Sequence, residues 1–213
     1  SNHTSGAESI KEAIVVPAFQ RMLKPPCTTE AECMGPLRHN SSFIPHSFDD
    51  LRNCVDKTDC IVFQDDVNPP GHSSTRSREW LQRKWYDQDE MIRPIPCFDS
   101  LRYEPYVVIR WCPSALAAQD NRESLVRPVA PYYDERFHGY GKNKIQYISH
   151  LRLLGYKFLV LPEGFIVHNP HVASATKETW NDVKGSELHR EMDVLYSNYL
   201  KELVHKYYDE YGD

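Results

Sequence analysis

The stretch "YYDERFHGYGKNKIQYISHLRLLGYKFLVLPEGFIVHNPH", from Tyr132 to His171, contains a complete helix–strand–strand unit and decides the predicted fold. Apolar residues recur at helical spacing from Asn143 to Leu154, and Gly155 then ends the predicted helix. The apolar runs "FLVLP" and "FIVH" predict two short buried strands, separated by a tight turn at Glu163-Gly164. A helix that leads into buried strands indicates an α/β layer.

The rest of the chain repeats this alternation of strands and helices. Strand patterns occur at Cys60–Phe63, at Glu104–Trp111 and at Glu12–Phe19. Pro17 is predicted to stop the last of these strands, and a long loop follows it. Ser47 is the predicted N-cap of a helix, and residues 185–213 have apolar side chains at helical spacing. We therefore predict the α/β class, with a mixed sheet flanked by helices.

The length and composition are those of one domain, or of one large piece of a bigger one. The 213 residues are 40% hydrophobic and carry a net charge of −5 with both signs interspersed. The chain has no basic stripe, so no nucleic-acid partner is expected. No run approaches the roughly 20 apolar residues that a membrane-spanning helix needs. Because the chain begins at Ser1 without a signal peptide, we expect membrane attachment only through a missing N-terminal anchor.

The cysteines indicate an oxidising compartment. None of the six forms a Cys-x-x-Cys zinc pattern. Five residues separate the members of two local pairs, which are candidate loop disulfides although sequence alone leaves the pairing open: Cys27/Cys33 and Cys54/Cys60. N-glycosylation triplets begin at Asn2 and Asn40. Together these features favour a glycoprotein of the secretory lumen.

Three features of the 132–171 stretch carry chemistry that a binding pocket uses. The triplet Gly139-Tyr140-Gly141 lies just before a helix, where unpaired backbone N–H groups can hold an anionic or hydroxyl-rich ligand. The alternative is a turn that needs positive φ. His168 ends a strand and could ligate a divalent ion, or could be a hydrogen-bonded core histidine. Asp134 could be a base for an acceptor hydroxyl, or a solvated loop carboxylate. The residues alone therefore indicate a carbohydrate or phosphate pocket.

The same stretch resembles the C-terminal part of glycosyltransferase family 49, which includes LARGE-type and β-1,4-glucuronyltransferase-like enzymes. The similarity is carried by "YDERFHGYGKNK…GYKFLVLPEGFIVHNPH", and it covers nearly the whole chain. Three shorter pieces occur in the same order: "VVPAF" (Val15 to Phe19), "GHSST" (Gly71 to Thr75) and "EPYVV" (Glu104 to Val108).

This resemblance implies the C-terminal portion of a GT-A-like nucleotide-sugar transferase fold. Residues 1–213 would form a single glycosyltransferase-like domain that lacks its N-terminal nucleotide-binding part, so we expect this chain alone to be inactive. The full-length enzyme would be an inverting, metal-dependent glycosyltransferase of glycan biosynthesis. It would move a sugar such as glucuronic acid from a nucleotide donor, UDP-glucuronate, to a hydroxyl of a glycan or glycoprotein acceptor. Mn²⁺ would be its cofactor, and the Golgi lumen its location, as a type II membrane protein.

The resemblance also implies roles for individual residues. His168 matches the late histidine that completes the metal coordination. The family's Asp-x-Asp pair precedes the strand "VVPAF", and the residues before Val15 contain no such pair. Asp134 is the nearest matched carboxylate for the catalytic base. The residues expected to bind substrate are His72, Arg136, Gly139, Tyr140, Gly141 and Asn143.

A second interpretation stays open at this point. The chain could be a non-catalytic carbohydrate-binding module, or a degenerate transferase-like module, because it lacks the metal-binding carboxylates. An Asp-x-Asp pair after an apolar strand upstream of Ser1 would favour the enzyme, and its absence would favour the module.

Overall fold

A computed structural model describes residues 11–23, 27–39, 44–82, 93–110, 130–138, 141–172, 174–182 and 185–211. The strands are β1 (Glu12–Val16), β2 (Ala18–Arg21), β3 (Cys60–Val62), β4 (Arg93–Ile95), β5 (Tyr106–Ile109), β6 (Lys157–Val160) and β7 (Ile166–His168). The helices are α1 (Glu30–His39), α2 (Phe48–Asp56), α3 (Ser77–Leu81), α4 (Asn143–Leu153), α5 (Ala175–Asn181) and α6 (Gly185–Tyr211). Two 3-10 turns, Pro69–Gly71 and Ser73–Thr75, precede α3.

The strands form two mixed sheets, in the orders β4-β6-β1-β5 and β3-β2-β7. Strand β1 pairs parallel with β6 and antiparallel with β5, and β2 pairs parallel with β7 and antiparallel with β3. The predicted α/β class with mixed sheets flanked by helices is therefore confirmed.

Pro17 divides the predicted single strand Glu12–Phe19 into β1 and β2, which belong to different sheets. Proline has no N–H to donate to a ladder, so the pairing is interrupted at this position. Its carbonyl still accepts from the N–H of Ile166 at 3.0 Å. The segment that pairs with β1 and β2 also passes from one sheet to the other, between β6 and β7. Gly164 lies in this connection and adopts a positive φ of 112°.

The main core lies between the sheets and helices α2, α3 and α4. Trp80, Phe19, Leu51 and Leu151 are fully buried there. The indole Nε1 of Trp80 donates to the carbonyl of Leu161 at 2.8 Å, so this large side chain buries no unpaired donor. A smaller cluster lies under α6 and is built from Phe137, Met192, Tyr199 and Leu203.

The predicted helix starts and ends match the structure closely. Ser47 caps α2 with a complete capping box: its hydroxyl accepts from the Asp50 N–H, and the Asp50 carboxylate accepts from the Ser47 N–H. Helix α4 begins at Asn143, and Gly155 follows it with a positive φ of 78°. The predicted long loop after Phe19 is wrong in part, because α1 occupies residues 30–39.

Both local disulfides form, joining Cys27 to Cys33 and Cys54 to Cys60. The first precedes and enters α1, and the second ties the end of α2 to the start of β3. Cys112 and both N-glycosylation triplets lie outside the described residues. None of the helices within the described ranges is both long and apolar enough to cross a membrane.

Candidate functional site

A group of aromatic, basic and imidazole side chains gathers around Phe63, just after β3. The Phe63 ring centroid lies 5.0 Å from that of His72, 5.1 Å from that of His168 and 5.7 Å from that of Tyr106. The ammonium of Lys144, in the first turn of α4, lies 5.8 Å from the same ring centroid. We call this group the histidine–aromatic cluster: Phe63, His72, Tyr106, Lys144 and His168.

His72 is buried in this cluster, at 5% exposure, and its Nε2 has no hydrogen-bond partner among the described residues. The two 3-10 turns on either side of it hold its backbone. Burial, together with the smaller effect of the positive charge of Lys144, lowers the pKa of His72 to about 3. The ring is therefore neutral near pH 7. Burial has removed its Nε2 from water, and no hydrogen bond from the described residues replaces the one lost to water. Such an unpaired buried group costs about 1–3 kcal/mol, which a ligand can recover.

His168 ends β7, as predicted, because β7 pairs in parallel with β2 and Gln20 lies opposite it in the register. Burial lowers the pKa of His168, and the nearby His171 and Lys144 lower it further. Its imidazole is therefore neutral at physiological pH, which is the form that binds metals. The His171 ring centroid lies 5.0 Å away, but the Nδ1 of His171 lies 2.8 Å from the Val172 carbonyl oxygen.

Among the described residues of the cluster, His168 is the side chain that best suits the metal implied by the sequence. Within the described ranges, no three His, Cys, Asp or Glu side chains lie close enough to hold an ion. His168, neutral and half-buried, fits the role of a single ligand. The residues described therefore do not supply a complete divalent-ion site.

Lys144 connects the cluster to a buried carboxylate. Its ammonium lies 5.1 Å from the Tyr106 ring centroid and 3.7 Å from the carboxylate oxygen Oε2 of Glu104. The preceding residue, Asn143, turns its side-chain oxygen back to accept from the Lys144 N–H at 2.9 Å. The predicted substrate-binding residue Asn143 thus shapes the start of α4 next to the cluster.

The glycine loop before α4 is described only at its end. Gly141 has a φ of 105°, and a Cβ built there would lie 2.4 Å from the Trp180 ring. A side chain at position 141 is therefore excluded by both backbone conformation and packing. Gly139 and Tyr140, also predicted to bind substrate, lie outside the described residues.

A cavity of about 400 Å³ opens beside the cluster, and Phe63 and His72 line part of it. The other polar groups on its wall include Asp65, Arg78 and Asp99. Arg78 and Asp65 form an ion pair. A partly apolar cavity of this size, with several hydrogen-bonding groups, suits a small polar ligand such as a sugar unit.

Asp134 and Arg136 lie in a different place. The Arg136 guanidinium donates to both oxygens of Asp134, at 2.8 and 3.0 Å, and to both oxygens of Glu202 on α6, at 2.7 and 3.1 Å. Hydrogen bonds from Arg136 lower the pKa of Asp134, and the two carboxylates raise the pKa of Arg136. None of the hydrogen bonds or ion pairs found for this pair in the described ranges reaches the histidine–aromatic cluster. Their predicted roles as base and substrate ligand stay predictions.

The structure thus brings His72 and His168 together, with Asn143 and Gly141 at the adjacent helix start. Sequence reasoning missed Phe63, Tyr106 and Glu104 as members of this site. The stretch "EPYVV" predicted a strand and carried part of the family resemblance, but no role was given to Glu104 itself. The signal for that role was a carboxylate directly before a proline and a strand.

Comparison with known proteins identifies relatives. The family described as "Glycosyl-transferase for dystroglycan" matches residues 7–208. The "Glycosyltransferase-like protein LARGE" of Caenorhabditis elegans is 28% identical over 171 residues, which is 80% of this chain and 21% of that protein. The "Xylosyl- and glucuronyltransferase LARGE2" of Mus musculus is 33% identical over 165 residues, 77% of this chain and 18% of the relative.

A third relative, the "Xylosyl- and glucuronyltransferase LARGE1" of Homo sapiens, is 29% identical over 164 residues, 77% of this chain and 16% of its own length. The chain therefore spans about a fifth, or less, of the length of these relatives. The similarity covers the strands that carry the histidine–aromatic cluster, because the family match includes every residue of that cluster.

Proposed function

This chain belongs to the family of glycosyl-transferases for dystroglycan, and from that premise we propose that the histidine–aromatic cluster is part of the active site of an inverting glycosyltransferase. The enzyme would move a sugar from a nucleotide donor to a hydroxyl of a glycan or glycoprotein acceptor. One observation carries the proposal: the buried, unpaired Nε2 of His72 lies in a cluster with the neutral imidazole of His168.

The side chains of the cluster suit a sugar and a diphosphate. The partly exposed ring of Tyr106 offers apolar surface on which a sugar ring can lie, and His72 offers a neutral nitrogen to one of its hydroxyls. The buried Phe63 packs against the rings of Tyr106 and His72. Lys144 supplies a positive charge at the same place. That charge favours either the departing diphosphate or the carboxylate of a uronic acid.

The relatives named above are xylosyl- and glucuronyltransferases. For this chain, UDP-glucuronate is the donor we propose, because Lys144 lies where an anionic sugar would need a cation. Mn²⁺ is the proposed cofactor: when bound, it would neutralise the departing diphosphate. His168 would be one of its ligands. The two disulfides agree with a lumenal, Golgi location, which is proposed here together with a type II membrane anchor.

The test is a donor screen by nucleotide release, on the natural protein that contains this chain. We expect one preferred nucleotide sugar and turnover that depends on manganese. His168→Ala should lower that turnover by at least about 100-fold, since removing even a supporting partner of a metal ligand costs 10- to 100-fold. His171→Ala is the matched control and should have a milder effect, because His171 lies past Pro170 and is exposed.

Equal, small effects of the two substitutions, with manganese dependence unaltered, would contradict the role of His168. Saturable glycan binding without nucleotide release from any donor would instead support the non-catalytic carbohydrate-binding module.

A further inference from the structure

Glu104 is a partly buried carboxylate in direct contact with the histidine–aromatic cluster. Its side chain is 16% exposed. Oε2 lies 3.7 Å from the Lys144 ammonium. Burial raises the pKa of Tyr106, at the start of β5, and the negative charge of Glu104 raises it further. The carboxylate therefore lies close to two members of the cluster.

The position of Glu104 is set by several independent contacts. Its backbone N–H donates to the Gly71 carbonyl at 2.9 Å, and its Oε1 accepts from the Asn68 side chain at 3.1 Å. Gly71 leaves the space for this arrangement, since a Cβ there would lie 2.4 Å from the Asn68 amide nitrogen. Pro105 follows directly and is buried. These contacts hold the carboxylate beside the 3-10 turn Pro69–Gly71, which precedes His72.

The two oxygens of Glu104 are used unequally. Oε1 accepts from Asn68, whereas the Lys144 ammonium is farther from Oε2 than a normal hydrogen bond. Oε2 therefore has a lone pair available for a ligand hydroxyl. Asp134 differs, because the Arg136 guanidinium occupies both of its oxygens.

We infer that Glu104 is the general base of the proposed transfer. The hydroxyl oxygen of the acceptor forms a bond to the anomeric carbon of the donor. The bond from that carbon to the diphosphate breaks, and its electron pair leaves with the diphosphate. The hydroxyl proton goes to Oε2 of Glu104, which becomes a neutral carboxylic acid. This inference rests on the proposed function.

The surroundings of Glu104 agree with this role. Burial raises the pKa of Glu104, while Lys144 and the Asn68 hydrogen bond partly oppose the rise. A carboxylate with a raised pKa is a stronger base. The groups that face it are Lys144 from α4, Tyr106 from β5 and Asn68 from the segment before the first 3-10 turn.

The experiment compares kcat, KM and the pH profile for the natural protein and four variants. Glu104→Gln keeps the shape and an acceptor for Asn68 but cannot take the proton. We expect kcat to fall by at least about 100-fold, the lower end for general-base catalysis, with little change in KM or in the thermal midpoint. Asp134→Asn tests the competing sequence-based assignment and should retain most of the turnover. Glu163→Gln removes an exposed carboxylate in the β6–β7 turn and should have no effect.

The fourth variant tests the pH dependence of kcat, which would not change if Glu104 had only a structural role. Asn68→Ala removes a hydrogen bond that favours the charged carboxylate, so the acid limb of the kcat profile should move to higher pH. If Glu104→Gln fails to fold, the same shift in Asn68→Ala decides the question.

Two outcomes would overturn the inference while leaving the proposed function intact. One is an active natural protein whose kcat and acid limb are unchanged by Glu104→Gln. The other is an acid limb that stays in place in Asn68→Ala while Asp134→Asn abolishes turnover. A natural protein that releases nucleotide from no donor would instead overturn the proposed function, and the inference with it.

Discussion

His72 and His150 are both at least partly shielded from solvent, but they differ in whether their ring nitrogens are hydrogen-bonded. Burial lowers the pKa of both, so both rings are neutral near pH 7. His150 lies between α4 and α6, where Nε2 is 2.8 Å from the Tyr207 hydroxyl and Nδ1 is 3.0 Å from the Tyr199 hydroxyl. The Nε2 of His72 has no partner.

The difference separates a structural region from the one that we propose to be functional. Both ring nitrogens of His150 are paired, and Ser149 and Tyr196 add a further contact of 2.8 Å between the same two helices. The buried Nε2 of His72 is unpaired among the described residues, which costs stability. The side-chain amide of Gln146, one turn before His150, is buried and unpaired as well, so an unpaired atom alone does not mark a site. His72 differs from Gln146 because it also lines a cavity, and we propose that a ligand completes the structure there.

The largest stability effect should come from His150→Phe. This change removes the two hydrogen bonds that join His150 to the hydroxyls of Tyr199 and Tyr207 in a partly buried interface. We expect the free energy of unfolding to fall by about 2–3 kcal/mol. Chemical denaturation measures it, with Tyr208→Phe as the control because Tyr208 is exposed on the same helix. A loss no greater than that of the control would remove the distinction between the two histidines.

His72→Phe should have a smaller effect that depends on pH. The pKa of His72 is about 3 in the folded protein, against 6.5 for an ordinary histidine. Between these values the unfolded chain binds a proton that the folded chain does not, so stability is lost as the pH falls below about 6.5. Near pH 7 the variant should equal or exceed the natural protein in stability, because it has no unpaired nitrogen to bury.

Near pH 5 the same variant should be more stable than the natural protein by about 1–2 kcal/mol, since each pH unit of this linkage is worth at most about 1.4 kcal/mol. Urea unfolding at both pH values measures the difference. Because His150 and His168 titrate in the same direction in both proteins, the comparison isolates His72. If the unfolding free energies of both proteins changed with pH in the same way, His72 would not be desolvated as described.

Arg136→Ala should have the smallest effect on stability. Its ion pairs with Asp134 and Glu202 are largely exposed, so solvent screening leaves them worth less than about 1 kcal/mol. The loss should shrink further at high salt. A loss of unfolding free energy as large as that of His150→Phe would mean that the ion pairs of Arg136 stabilise the fold more than their exposure indicates.

Much of the fold could be predicted because its signals are local. The period of α4, the Ser47 capping box and the two six-residue cysteine spacings all lie within single segments. The continuation of the chain after Pro17 as a strand of a second sheet could not be predicted, since it depends on which sheet each half joins.

At the candidate site, the place of His168 at a strand end could be predicted from its own segment, whereas its metal role stays a prediction. Its contact with Phe63 arises from the pairing of β2 with both β3 and β7. The unpaired nitrogen of His72 and the contacts of Glu104 depend on residues far apart in the chain. No local pattern indicates them.

The contact between Gly141 and Trp180 has a consequence for how this chain can evolve. A side chain at position 141 would overlap the indole, which itself stacks on His189 with ring centroids 3.6 Å apart. A substitution of Gly141 by a residue with a side chain therefore requires that Trp180 has already been replaced by a smaller residue. Related sequences should accordingly show substitutions at these two positions as a linked pair, with the tryptophan lost before or together with the glycine.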